Sequence, residues 1–272
     1  GGWWYYYLYA AAVKLPLGVL LMIPLAAWMA LSGHARLALL DALPLVLPPL
    51  VVFALVSSQT GFNRYFRYVL PALPFLFIYV SRIGLVFTTA PTTTASSRFL
   101  LPATRTLAAI AIAWAIGSSL HYWPHSLSYF NELAGGPRHG HDHLIDANID
   151  WGQDLFYLRD WIAAHPEARP LTVTYEGFFD PSIAGVDFPR TPSLPPADAR
   201  PEVLNQLRPG WHAVSVSYLR HSSHMYDYLQ AFEPVALAGY SIYVFRLSAG
   251  DVERIRSLAT KTGSQRHADP AD

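Results

Sequence analysis

The chain has 272 residues, of which 52% are hydrophobic and only 14% are charged, and its formal net charge is zero. This composition excludes an ordinary soluble protein, and the balanced charge gives no reason to expect nucleic acid or an acidic partner. The sequence contains no cysteine, which excludes disulfides and thiolate metal sites. It begins at Gly1 without a basic region before the first apolar run, which favours an internal start in a longer chain over a signal peptide.

The first half of the sequence contains four long apolar segments that carry few charges. Each is long enough to cross about 30 Å of hydrocarbon as a helix that rises about 1.5 Å per residue. We therefore predict an α-helical polytopic membrane bundle over residues 1–124, rather than buried helices of a large soluble protein. Several prolines, Pro16 among them, predict kinked helices. The predicted spans are residues 6–31, 37–56, 68–87 and 107–123, with a flexible polar connector at 88–105.

Three cations in this half are candidates for binding a lipid phosphate. Lys14 lies inside the first apolar segment, where a charge is costly unless it is paired or hydrated. It can extend to the membrane surface, or it can face a phosphate inside the bundle. Arg64 and Arg67 stand among aromatic residues at the start of the third segment. They form either an interfacial belt or a bidentate grip on a lipid phosphate.

A polar hinge segment, residues 125–152, follows the last apolar segment, and a small α/β lobe is predicted for 153–259. The polar side chains at this boundary are candidates for binding a sugar or acceptor, or for docking the lobe on the bundle. Trp151 offers a flat apolar face for a sugar ring, while amides and carboxylates can bind hydroxyls. The docking interpretation is favoured. The candidate residues are Asn131, Glu132, Asp146, Asn148, Asp150, Trp151, Gln153 and Asp154.

Other interpretations of this boundary are weaker. A calcium loop is disfavoured because Trp151 and Tyr157 stand where an EF-hand requires Gly and Glu. The alternating His139, His141 and His143 imitate a metal cluster, but such alternation arises easily in a glycine-containing loop. We therefore predict no metal and no cofactor, although the sequence leaves the need for a divalent metal open.

Local signals in the lobe predict its helices and strands. Apolar spacing predicts a helix over 153–164, with Asp150 as its N-cap and Asp154 in its first turn. A second helix is predicted between the last two strand regions, at 224–231. The polar tail, residues 260–272, is predicted to be disordered. The predicted strands are 171–175, 212–218 and a hairpin at 235–247 with its turn at Gly239.

Four stretches together resemble one family of membrane enzymes. WWYYYLYAAAVKLPLGVLL, NRYFRYVLPALPFLFIY, LSYFNELAGGP and DANIDWGQDL occur in this order. The chain from about residue 4 to about residue 247 resembles a bacterial family 39 glycosyltransferase, a relative of the protein O-mannosyltransferases and the lipid A aminoarabinose transferases. The last two stretches are the more specific ones.

The resemblance implies a C-type membrane glycosyltransferase of the bacterial inner membrane. Such an enzyme moves a sugar from a polyprenyl-phosphate donor to an acceptor, and its soluble lobe is extracytoplasmic. The family's catalytic carboxylate lies in its first extracytoplasmic loop, which has no counterpart here. We therefore expect the C-terminal part of the enzyme, with four membrane helices, no catalytic residue of its own and no activity alone.

Two alternative classes remain. The chain can be a non-enzymatic, membrane-anchored module whose lobe binds a glycan or a protein. A transporter fragment is less favoured, because intramembrane charges are few and no pair of half-helices is visible in the sequence. The sugar and the acceptor are not determined by the sequence.

Overall fold

The computed structural model describes residues 3–32, 39–58, 65–88, 95–194 and 205–268. The chain divides into two compact units, Gly1–His143 and Leu144–Asp272. Unit 1 is helical. Its α-helices are α1 (Tyr6–Lys14), α2 (Leu17–Leu31), α3 (Leu39–Ser58), α4 (Leu73–Ser81), α5 (Leu85–Thr88) and α6 (Ala95–His121), and 3-10 turns at Phe66–Ala72 and Arg82–Gly84 flank α4.

The first predicted span is broken rather than continuous. α1 and α2 meet at an angle of 114°, so residues 6–31 do not form one straight membrane helix. The break lies at Leu15 and Pro16, which both have extended backbone conformations. Proline lacks an amide hydrogen and disfavours the helical conformation in the residue before it, so the helix ends at Lys14.

Two described helical segments are long and apolar enough to cross a membrane, Phe66–Thr88 and Leu101–His121, and α1 with α2 makes a third if the bent pair is one span. These segments support membrane association. The second predicted span, 37–56, overlaps α3 from residue 39, and residues 37–38 lie outside the described part of the chain. Within α3, Leu43–Ser58 is an apolar helix shorter than the two candidate spans. The prediction of a flexible connector up to residue 105 is wrong, because α6 already begins at Ala95. Leu101, Thr104 and Ala108 are buried on one side of α6. Their packing stabilises the helix on the N-terminal side of its most apolar part.

Small residues allow α2 and α6 to approach closely. A Cβ on Gly18 would lie only 2.1 Å from the carbonyl oxygen of Ala111 and 2.9 Å from the Cβ of Ala115. The backbones of the two helices are therefore in contact at this crossing, as in membrane helix pairs that pack through small residues. Ala26 of α2 and Ala108 of α6 are both buried in one apolar cluster.

Unit 2 is a mixed sheet with helices around it. Its strands are β1 (Leu171–Thr174), β2 (Gly210–Ser215), β3 (Ala236–Ala238) and β4 (Ile242–Leu247), in the order β1-β2-β4-β3. β1 pairs parallel with β2, and the remaining pairs are antiparallel. The helix α7 (Leu155–Ala164) buries Leu155 and Leu158 in the same apolar cluster as the sheet residues. The prediction of a small α/β lobe is confirmed.

Three local predictions in unit 2 are corrected. The strand predicted for 212–218 ends at Ser215, where the short helix α8 (Val216–Leu219) begins. The helix predicted for 224–231 is a 3-10 turn, Asp227–Ala231. The tail predicted to be disordered from residue 260 is helical up to Ala268, because α9 spans Ala249–Ala268, and residues 269–272 lie outside the described part of the chain.

The start of α9 is fixed by a cap and by packing. The Ser248 hydroxyl accepts a hydrogen bond from the Asp251 amide, and the Asp251 carboxylate accepts one from the Ser248 amide, which caps the helix. Val252 and Ile255 are buried, so the first turns of α9 are held by packing.

Candidate functional site

Asn131 joins the polar loop of unit 1 to the break after α1. Its Nδ2 donates to the carbonyl oxygens of Ala12 (2.6 Å) and Leu15 (2.9 Å), and its backbone N–H donates to Val13 O (2.9 Å). The Asn131 Oδ1 accepts from the Ala134 amide at 3.2 Å. A helix end leaves its last carbonyls without partners inside the helix, and Asn131 supplies donors to them from outside. This buried amide therefore acts as a C-terminal cap for α1.

Lys14 lies at the same break and contacts the same loop. Its Nζ donates to the carbonyl oxygen of Leu127 at 2.8 Å and stands 4.3 Å from the centroid of the Phe130 ring. A cation at the C-terminal end of a helix also interacts favourably with the helix dipole. The loop before Asn131 therefore fixes the position of the Lys14 ammonium group.

Of the two arginines that the sequence offered as phosphate ligands, the structure describes Arg67. Arg67 is exposed, and its guanidinium lies 4.5 Å from the ring centroid of Tyr65 and 5.4 Å from that of Tyr68. This arrangement fits the aromatic and basic belt that the sequence predicted as one alternative. Arg64 lies outside the described residues.

Asp154 connects the polar segment of unit 2 to the sheet. It is fully buried, and its Oδ2 accepts hydrogen bonds from the amides of Tyr240 (2.8 Å) and Ser241 (2.9 Å) in the β3–β4 turn. Gly239 makes this contact possible, because a Cβ there would lie 2.1 Å from the Asp154 Cγ. Asp154 occupies the N-cap position of α7, but its carboxylate binds the turn instead of the helix.

Asp150 is the second buried carboxylate of this segment, and the prediction that it caps the helix is wrong. α7 begins five residues later, and Asp150 Oδ1 instead accepts from the Gly152 amide at 3.1 Å. Burial raises the pKa of the Asp150 carboxyl to about 7, and the charge of Asp154 adds to this rise. The Gly152 amide and the hydroxyls of Ser215 and Ser241 act in the opposite direction. We call Asp150, Asp154 and the turn residues Tyr240 and Ser241 the carboxylate joint.

Most of the other polar side chains predicted as binding or docking residues form hydrogen bonds with the backbone of their own segment. The Asn148 amide donates to Ile145 O at 3.0 Å, and the Asp146 carboxylate accepts from the Ala147 amide at 2.8 Å. Gln153 bridges the segment, since its Nε2 donates to Ile149 O and its Oε1 accepts from the Trp151 amide. Glu132 is exposed at the start of a 3-10 turn. These contacts are typical of a tightly folded loop.

Trp151 alone among the predicted residues of unit 2 offers an exposed ring. Its indole is 45% exposed and meets the ring of Phe178 edge to face, with centroids 5.1 Å apart. Phe178, Phe179 and Ile183 are each more than 70% exposed. We call Trp151 with these three residues the aromatic patch. Sequence reasoning missed it, although two adjacent phenylalanines after β1, in EGFFDP, could have indicated it.

The three alternating histidines do not meet at one point. His139 and His141 lie 3.6 and 3.4 Å from Asp142, whereas His143 contacts the Tyr9 hydroxyl and the carbonyl oxygen of Ala134. Within the described part of the chain, no group of three or more His, Cys, Asp or Glu side chains could hold a metal ion.

Comparison with known proteins adds no relative. No family model matches the chain, and no curated protein or solved structure matches it. The resemblance to family 39 glycosyltransferases therefore rests on the four sequence stretches alone.

Proposed function

We propose that this chain is part of a membrane glycosyltransferase that takes a sugar from a polyprenyl-phosphate donor, and that Lys14 contacts the donor phosphate. The observation that supports this best is the position of Lys14 at the break between α1 and α2. There the loop contacts of Leu127 and Phe130 hold its ammonium group, and the start of α2 lies three residues further on. A fixed cation beside a helix N-terminus is a favourable environment for a phosphate. In such a transferase a cation stabilises the departing phosphate.

The finer features of this proposal are a four-span bundle, a location in the bacterial inner membrane and an extracytoplasmic unit 2. They rest on the family resemblance, and the two apolar helices able to cross a membrane support membrane association alone. A cysteine-free chain makes the orientation simple to test. A single cysteine at the exposed Ser222 of unit 2 should react with a membrane-impermeant maleimide in intact bacterial spheroplasts. Labelling only after the membrane is opened would place unit 2 in the cytosol and contradict the proposal.

The contact between Lys14 and the donor phosphate is tested by measuring lipid binding rather than enzyme activity. The chain in detergent should bind undecaprenyl phosphate more tightly than the uncharged alcohol undecaprenol in native mass spectrometry. Lys14→Gln should weaken binding of the phosphate about tenfold, because a charge-assisted hydrogen bond contributes about 1.5–3 kcal/mol. Arg159→Gln, which removes an exposed cation in unit 2, serves as the control and should leave binding unchanged. Equal binding of phosphate and alcohol would exclude a phosphate site.

A second candidate function is favoured by the aromatic patch. An exposed Trp–Phe pair is a suitable surface for the apolar face of a sugar ring, so unit 2 can act as a glycan-binding module without catalysis. Saturation-transfer NMR with mannose and N-acetylglucosamine oligomers tests this. Trp151→Ala should abolish transfer to the sugar, whereas Trp3→Ala, at another exposed tryptophan, should not. Absence of transfer in the unmodified chain with both sugars would exclude this function for them.

A further inference from the structure

The carboxylate joint places two acids inside unit 2. Asp150 is 1% exposed and Asp154 is fully buried, and they lie four residues apart in the chain. Asp154 has two amide donors from the β3–β4 turn, while Asp150 accepts one hydrogen bond from Gly152 in its own segment. Asp154 therefore makes the hydrogen bonds that connect this segment to the β3–β4 turn, whereas the hydrogen bond of Asp150 stays within the segment.

Two buried oxygen atoms beside Asp154 lack a hydrogen bond. Asp150 Oδ2 and the Ser241 hydroxyl oxygen have no hydrogen-bond partner among the described residues. The Ser241 hydroxyl is nevertheless close enough to Asp150 to influence its charge. A buried carboxylate oxygen without a hydrogen bond favours the protonated, uncharged carboxyl group, because the charged form then lacks a donor at that oxygen.

The groups that face Asp150 come from four elements. Its own segment contributes the carboxylate of Asp154, the end of β1 contributes the phenol of Tyr175, β2 contributes the hydroxyl of Ser215, and the β3–β4 turn contributes that of Ser241. Among these described groups, Asp154 supplies the charge that acts on Asp150, and it is negative. Two buried like charges repel each other strongly, since the interior screens them poorly.

We propose that the carboxylate joint is a proton-operated device, in which loss of the Asp150 proton puts two negative charges into the joint and loosens residues 149–154 from the β3–β4 turn. Trp151 is the next residue, so the protonation state of Asp150 alters the position of the indole in the aromatic patch. This inference depends on neither of the functions proposed above.

The range of pH follows from the environment of Asp150. Burial raises the pKa of the Asp150 carboxyl to about 7, so the joint is closed in mildly acidic solution and opens as the solution becomes alkaline. Trp151 is a natural reporter of this change.

The test follows Trp151 by fluorine NMR in the complete chain, held in detergent micelles and labelled with 5-fluorotryptophan. The spectrum of Trp151→Phe assigns the Trp151 resonance among the eight tryptophans. Between about pH 5 and about pH 9 the resonance should move with one midpoint near neutrality. Asp150→Asn should abolish this movement, and Asp180→Asn, at an exposed acid beside Phe179, should retain it.

Two results would overturn the proposal: a Trp151 resonance that does not move with pH in the unmodified chain, or the same movement in Asp150→Asn. The second comparison separates the effect of Asp150 from that of any other group that gains or loses a proton in this range. Ser241→Ala provides an independent variant if Asp150→Asn does not fold. The Ser241 hydroxyl favours the charged form of Asp150, so its removal should shift the midpoint to higher pH, and an unchanged midpoint would also count against the device.

Discussion

The side-chain amide of Asn131 donates a hydrogen bond to the carbonyl oxygen of Leu15, which lies 116 residues earlier in the chain, at 2.9 Å. Both acceptors of this amide, at Ala12 and Leu15, are carbonyl oxygens, which fixes its orientation with the nitrogen towards α1. The polar loop after α6 and the break after α1 are therefore one structural feature.

Asn131→Ala should destabilise unit 1 strongly. It removes the donor to the partly buried Ala12 carbonyl and leaves the buried Leu15 carbonyl without its side-chain partner, which costs about 1–3 kcal/mol for the buried group. Thermal unfolding in detergent, followed by circular dichroism, should show a lowered midpoint. Glu132→Ala, at the exposed neighbour, is the control and should unfold like the unmodified chain. A normal midpoint for Asn131→Ala would mean that the amide does not cap α1.

Gly18→Ala should separate α2 from α6. The added Cβ would meet the backbone of Ala111 at 2.1 Å, and backbone atoms cannot move aside as a flexible side chain can. The matched control is Gly117→Ala on α6, where no atom lies within 4 Å of the new Cβ. This control should be neutral or stabilising by up to about 1 kcal/mol through helix propensity. Thermal unfolding in detergent compares the two, and equal midpoints would contradict the close crossing.

Gly239→Ala should damage the carboxylate joint for two separable reasons. Gly239 has a φ of +61°, and its Cβ would also collide with the Asp154 carboxyl group. Gly185→Ala has a similar φ of +77° but open space around the new Cβ, so it measures the backbone strain alone, about 1 kcal/mol. The difference between their unfolding free energies gives the cost of the collision. No difference would show that Asp154 does not need the glycine.

The contribution of Asp150 to the stability of unit 2 should fall as pH rises from about 4 to about 7, whereas burial lowers the pKa of His212 to about 4 and gives a change of the opposite sign. The pKa of Asp150 is raised in the folded chain, from 3.8 to about 7, so the folded state binds the proton more tightly than the unfolded state over this range. The Asp150 contribution to the free energy of unfolding then decreases until the folded pKa is passed and changes little above it. The full difference corresponds to about 4 kcal/mol.

Asp150→Asn should remove this decrease, because the amide carries no charge at any of these pH values. Unfolding midpoints at about pH 4.5 and about pH 8 test this, with Glu233→Gln as an exposed acid in the same unit for comparison. A variant whose midpoint falls with pH as steeply as that of the unmodified chain would show that another group is responsible.

The local features of this protein could be predicted from its sequence. Apolar length identified the helices of unit 1, since backbone hydrogen bonding in an apolar environment requires helices. Alternation and turn residues located the strands and the hairpin turn at Gly239, because side-chain direction and backbone conformation are local properties. Pro16 predicted a kink. The size of the bend depends on which groups donate hydrogen bonds to the carbonyl oxygens that lose their helical partners at the proline.

The contacts of the candidate sites were decided by the tertiary structure. The acidic cluster was expected to cap a helix, to bind a sugar or acceptor, or to dock the lobe on the bundle, and Asp154 binds amides 86 and 87 residues away within unit 2. Lys14 could have faced solvent or lipid, and the loop that holds it lies 113 residues later. Sequence spacing determines which side chains share one helix or strand. It does not determine which distant backbone group supplies their hydrogen bonds, because that choice depends on how the whole chain packs.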